Sequence, residues 1–144
     1  MCNHPGKDFE QEVILLAKLM GHKIIRKPKP GPDGGVDAIT ELKNMPFGGG
    51  KYVIQCKNIP NKKIGREVVD QLIGTLEREG IPTGIIVTSG SFAKAAKTAA
   101  KKTGRVELID RKQLDAIRKR LTSPYELTLA WARRTKDKDW YIGD

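Results

Sequence analysis

A chain of 144 residues is long enough for one domain with a real core and too short for two comfortable ones. Its 38% hydrophobic content argues against disorder. No apolar run is long enough to cross a bilayer, and the amino terminus MCNHPGKDFE carries no signal-peptide core, so the expected location is the cytoplasm. Lys and Arg number 27 against 17 Asp and Glu, a net charge of +10 with a pI near 9.7. That excess points to a polyanion, nucleic acid first. An anionic membrane fits less well, because no helix pairs a basic face with a strongly apolar one. Cys2 and Cys56, without metal-ligand spacing, suggest a reducing compartment and no disulfide. Cys56 alternates with Tyr52 and Ile54, as a small buried residue would.

In chain order, residues 8–20 read as an amphipathic helix, with Phe9, Val13, Leu16, Ala17 and Met20 at helical spacing and Gly21 as the stop. HKIIRK (22–27) is a short strand. After the breaker-rich KPKPGPDGG come two strands, roughly 35–43 and 51–58, folded back on each other around NMPFGGG. IGREVVDQLIGTLERE forms a second helix with Ile64, Val68, Leu72, Ile73 and Leu76 inward, broken by Gly80 and Pro82. TGIIVTS (83–89) is nearly all apolar, as expected of a strand covered on both faces. A third helix spans 91–102 with Ser91 as N-cap, then RVELI makes a strand and RKQLDAIRKRL a helix. Strand, helix, strand over 83–109 is a βαβ unit with parallel strands and a right-handed crossover. Ser123-Pro124-Tyr125-Glu126 reads as a capping box opening a last helix over about 123–137. The expected fold is a single α/β domain, its mixed sheet combining the antiparallel hairpin with the parallel βαβ unit between flanking helices.

The hairpin carries the chemistry. Asp37 lies on its first strand and Gln55 and Lys57 on its second, where alternation gives the last two a common face. If the connection is symmetric about Phe47, Asp37 lies opposite Lys57. A carboxylate, an amide oxygen and an ammonium then converge on one spot, a set suited to holding a divalent metal beside a phosphate.

With these elements in place, the chain resembles the Mrr-type catalytic domain of the PD-(D/E)xK nucleases, the restriction endonuclease-like superfamily. The likeness rests on Phe9-Glu10 opening the first helix, Asp33-Gly34-Gly35-Val36-Asp37, Gln55-Cys56-Lys57, and Val87-Thr88-Ser89 before Phe92-Ala93-Lys94-Ala95-Ala96. It covers about residues 8–121 and implies a metal-dependent DNA endonuclease. Under it Asp37 ligates the metal and Gln55 supplies or orients an oxygen ligand. Lys57 positions or activates the attacking water, and Glu10 completes the metal site. Helical periodicity alone does not choose Glu10 over Glu12; only the resemblance does. Mg²⁺, with Mn²⁺ as a substitute, suits such hard oxygen ligands. Gln55 stands where the wider superfamily has a carboxylate. Double-strand cleavage with one active site per chain would imply a homodimer.

The plainer readings are weighed beside these. Asp33 alone is a turn former, and Gly34 and Gly35 lead into a strand without the lysine and hydroxyl of a phosphate loop. An Asp37–Lys57 contact could be a purely structural ion pair. His4 and His22 match no ligand spacing, and Ser89 and Ser91 lack a partnered base. Lys94, Lys97 and Lys101 share a helical face, with Lys102 and Arg105 close behind and no acid over 91–105. With Ser91 at that helix start and Lys62, Lys63 and Arg66 at the entry of the second helix, they are candidate DNA-backbone contacts. Other functions on the same residues are a structure-specific nuclease such as a Holliday-junction resolvase, a DNA-binding module without catalysis, and a subunit whose partner supplies the chemistry.

Overall fold

The computed structural model describes residues 5–26, 38–42 and 50–121, with side chains from Phe9 onward. Helix α1 (Pro5–Leu19) leads into strand β1 (His22–Arg26), then β2 (Ala38–Leu42) and β3 (Gly50–Lys57). A two-residue strand β4 (Lys63–Ile64) precedes α2 (Arg66–Glu79) and β5 (Thr83–Thr88). A second short strand, β6 (Ser91–Phe92), precedes α3 (Lys94–Thr103), followed by β7 (Val106–Ile109) and α4 (Arg111–Leu121). The expected helix over 123–137 lies outside the described residues.

Five strands form one sheet in the order β1-β2-β3-β5-β7, antiparallel from β1 to β3 and parallel from β3 to β7. The hairpin and the βαβ unit are therefore present as expected, within an α/β fold. Two crossovers in succession, β3-α2-β5 and β5-α3-β7, step the same way across the sheet. A common crossover hand then puts α2 and α3 on one face. Val53, Ile86, Val69, Leu72, Leu76, Phe92 and Ala96 fill the core on that side. The opposite face packs Ile54, Ile85 and Val87 against Phe9, Val13 and Leu16 of α1 and Leu114 and Leu121 of α4. Cys56 packs there too, half-buried, on the face its alternation gave it.

Three expectations shift. The hairpin pairs Ala38 with Ile54 and Ile39 with Val53, two residues away from the register in which Asp37 faces Lys57. Gly50 already pairs with Leu42, so the interval 43–49 is centred on position 46, not Phe47. The pairing sets Ile39 beside Val53 toward α2 and opposes Glu41 to Lys51, a favourable cross-strand charge pair. A displacement of two keeps every side chain on its expected face. Second, α2 begins at Arg66, and Ile64 instead pairs with Phe92 in the small β4-β6 sheet. The buried spine of α2 is Val69, Leu72 and Leu76, with Val68 and Ile73 only packed against it. Third, α3 starts at Lys94 with Ala93 as its N-cap, and Ser91 is a strand residue. The Ala93 N–H is tied to the Ile64 carbonyl at 2.8 Å, which holds the start of α3 without a side-chain cap. Both α2 and α3 end in glycines of left-handed conformation, Gly80 (φ 67) and Gly104 (φ 68), which a side chain would strain.

His22, incidental by sequence, is a structural contact. Its Nδ1 lies 2.8 Å from the hydroxyl of buried Thr40, and its ring meets Tyr52 edge-on at 5.1 Å. Burial lowers its pKa from the ordinary 6.5. The unfolded chain then takes up a proton before the folded one, so stability is full above about pH 6.5 and falls as pH drops below it. The urea midpoint should fall between pH 7.5 and 5.5, and His22→Gln should flatten that fall.

Candidate active site at the end of strand β3

Alternation along β3 sends Val53, Gln55 and Lys57 to the α2–α3 side of the sheet. Gln55 is 3% exposed, one of three buried polar residues among the described residues, with Thr40 and Thr88, and Lys57 is half-buried at the strand's end. An amide placed so deep costs free energy unless it is bonded, so its presence marks a specific polar spot on that face. The structure thus brings Gln55 and Lys57 together as the QxK spacing implied. Asp37, the third member, lies outside the described residues, as does Asp33. Its chain neighbour Ala38 pairs with Ile54, the residue before Gln55.

The backbone around Lys57 is held by the end of β5. The Lys57 carbonyl accepts from the Thr88 hydroxyl at 2.9 Å and from the Ser89 N–H at 3.1 Å. Thr88, fully buried, accepts in turn from the Gly90 N–H at 3.0 Å, and Ser89 Oγ donates to Asn58 Oδ1 at 2.8 Å. Gly90 is required by close approach: a Cβ there would sit 2.4 Å from the carbonyl oxygens of both Ile59 and Lys62. Gly90 and Asn58 carry no functional signal in the sequence, and Thr88 enters only through the family resemblance. A Thr-Ser-Gly run ending an apolar strand reads equally as a turn.

The two helices that follow bring charge to the same end. Strands β4 and β6 pair Lys63 with Ser91 and lead within two residues into α2 and α3. Both helix N-termini therefore open side by side, with Arg66 and Lys94 as their first residues. Helix N-termini carry partial positive charge and free N–H groups that favour anions. Lys62 and Lys63 are exposed beside them, while Ser91 is half-buried with its N–H bonded to the Lys62 carbonyl at 3.2 Å. Lys97 and Lys101 are exposed farther along α3.

Glu10 is half-buried on α1, in the layer across the sheet from Gln55 and Lys57. Glu12 is committed elsewhere: Arg118 of α4 donates to both its oxygens, Nε to Oε2 at 2.9 Å and Nη2 to Oε1 at 2.5 Å. This forked pair, with Asp115 as a second partner of Arg118, ties α1 to α4. Glu12→Ala should cost about 1 kcal/mol of stability and leave DNA cleavage unchanged. Glu10→Ala should do the reverse, which urea titration and a nicking assay on the two variants would separate.

One family model matches most of the chain. The model of the Mrr catalytic domain, described as a restriction endonuclease, matches residues 3–117. No curated protein matches the chain. Among solved structures, the DNA modification-dependent restriction endonuclease AspBHI aligns with a TM-score of 0.63 at 20% identity, over 76% of this chain and 30% of its own. The MspJI restriction endonuclease, solved in complex with a 27-mer oligonucleotide, gives 0.59 at 22% identity, over 91% of this chain and 31% of its own. A repair endonuclease from Pyrococcus abyssi gives 0.53 at 23% identity, over 76% and 48%. These likenesses establish a restriction endonuclease-like fold, and the chain spans about a third of the two restriction enzymes and under half of the repair enzyme. Its match over most of its length, on a sheet that sets Gln55 and Lys57 at the end of β3, shows that the chain belongs to the Mrr-type restriction endonuclease family, a family of DNA endonucleases.

Proposed function

We propose that this domain hydrolyses phosphodiester bonds in DNA with the help of a divalent cation, Mg²⁺ first and Mn²⁺ as its substitute. The observation that carries the reading is the buried Gln55 beside Lys57, at the strand end where two helix N-termini bring in Arg66 and Lys94. Among the described residues no three His, Cys, Asp or Glu side chains gather in a cage. A site completed by Asp37, Gln55 and Glu10 would instead offer a few hard oxygens and leave room for water and phosphate, which fits Mg²⁺. When bound, the cation supplies Lewis acidity at the phosphate and acidifies the attacking water.

The chain's own residues do the rest. Asp37 would hold the cation as its anionic ligand, Gln55 would present its amide oxygen, and Glu10 would complete the set. The Lys57 ammonium, on a backbone pinned by Thr88 and Ser89, would offset the charge that builds on the non-bridging phosphate oxygens during in-line attack. Lys62, Lys63, Arg66, Ser91 and Lys94 would hold the flanking backbone without reading sequence. No helix among the described residues is long and apolar enough to cross a membrane, and the two thiols support a reducing, cytoplasmic location. Pairing of two copies, a homodimer, would let one site per chain cut both strands in a single encounter.

The test is cleavage of supercoiled plasmid, linear duplex and a four-way junction with Mg²⁺ or Mn²⁺. Cutting of ordinary duplex supports the endonuclease reading. Cutting confined to the junction would replace it with a resolvase, and no cutting of any substrate would overturn it.

A further inference from the structure

The structure contains a second feature suited to DNA, which deepens the cleavage reading above and rests on it. An open groove of about 520 Å³ lies between α2 and α3, lined by Arg66, Lys94, Ala95, Thr98, Ala99 and Lys102. Three of its six lining residues are cations, contributed by both helices, and no carboxylate lines it among the described residues. Arg66 also lies 3.4 Å from Asp70 one turn along, an exposed contact that water and salt weaken. Ala95, Thr98 and Ala99 leave the groove shallow and unobstructed, and the Thr98 hydroxyl is turned back onto the Lys94 carbonyl at 3.0 Å. The cations thus flank a trough that a chain of phosphates could enter.

Its position is as informative as its charge. The mouth, at Arg66 and Lys94, adjoins the end of β3 through the β4-β6 pairing of Lys63 with Ser91. From there it runs along α3 to Lys102, eight residues on, or about 12 Å at 1.5 Å per residue. That is the rise of roughly three to four base pairs of one strand. We propose that this groove seats the sugar–phosphate backbone of the DNA strand flanking the scissile phosphate, with Lys102 as its far contact. Helical spacing favoured the face of Lys94, Lys97 and Lys101. The groove follows Lys94, Thr98 and Lys102 instead, and Lys97 and Lys101 do not line it.

The experiment measures binding of a fluorescein-labelled duplex by anisotropy across 50–200 mM salt without divalent metal, beside steady-state cleavage with Mg²⁺. Removing one lysine that neutralises a phosphate should reduce the slope of log affinity against log salt by about 0.9. The fourfold rise in salt should therefore weaken Lys102→Ala about 3.5-fold less than wild type. Lys102→Arg should restore the slope, and Lys97→Ala and Lys101→Ala should retain it. In cleavage, Lys102→Ala should raise KM and spare kcat. Wild-type slope and KM in Lys102→Ala, or an equal loss in Lys97→Ala and Lys101→Ala, would overturn the groove and leave the nuclease reading intact. Absence of cleavage by wild type would overturn the nuclease reading, with the groove then judged by the binding slopes alone. Absence of DNA binding would overturn both.

Discussion

Lys57→Met should lose cleavage by about 10²–10⁴-fold, the range for removing one positioned catalytic group. Duplex binding should stay within about threefold, because Lys57 is one of many cations facing the DNA. The outcome separates two roles for a half-buried lysine on a strand end. A structural ion-pair partner would leave an uncompensated charge when removed and cost about 3–5 kcal/mol. A charge stabiliser at the phosphate leaves the fold intact. Its backbone is held by Thr88 and Ser89, not by its side chain, so a Met of similar length keeps the local structure. Unchanged urea midpoint with abolished cleavage is the expected pair of results. Lys57→Arg should recover little, since a planar fork does not replace a compact ammonium at one oxygen.

Gln55→Glu should make stability depend on metal. At 3% exposure a carboxylate in place of the amide is desolvated, which disfavours its charged form and raises its pKa. In the unfolded chain the same group ionises near pH 4.3, so the penalty is absent below that pH and grows as pH rises above it. Without divalent cation at pH 7 the variant should be about 3 kcal/mol less stable than wild type. Saturating Mn²⁺ should return a large part of this, about 2.7 kcal/mol at a concentration 100 times its Kd. Wild type, with a neutral amide, should respond far less. Thermal melts with EDTA and with Mn²⁺ read both effects. Equal melts in the two conditions for the variant would remove position 55 from the metal site.

Much of this organisation is legible in the chain. Among the described residues apolar spacing locates the larger elements, and RKQLDAIRKRL matches α4 from Arg111 to Leu121. The QxK alternation alone gives Gln55 and Lys57 a shared face, because a period of two has no other solution. The hairpin register is not legible to the residue. The glycine run looks like loop throughout, yet Gly50 is strand, and only the facing of Ile39 with Val53 settles the pairing. The β4-β6 contact is invisible for a different reason: two-residue strands have no period, and Ile64 and Phe92 are 28 positions apart. Without it Ser91 looks like a helix cap, and nothing shows that the starts of α2 and α3 are joined. The groove to Lys102 depends on that junction, whereas spacing along α3 alone favours Lys97 and Lys101 equally.

The most direct test of the central claim is nicking of supercoiled plasmid under titrated Mg²⁺ or Mn²⁺, with wild type beside Asp37→Ala. Asp37 supplies the anionic ligand in this account, so wild type should convert plasmid to nicked and linear forms only with metal. The variant should bind DNA normally and cut at least about 10²-fold more slowly at any metal concentration. Cleavage by wild type in EDTA, or equal cleavage by Asp37→Ala, would contradict it.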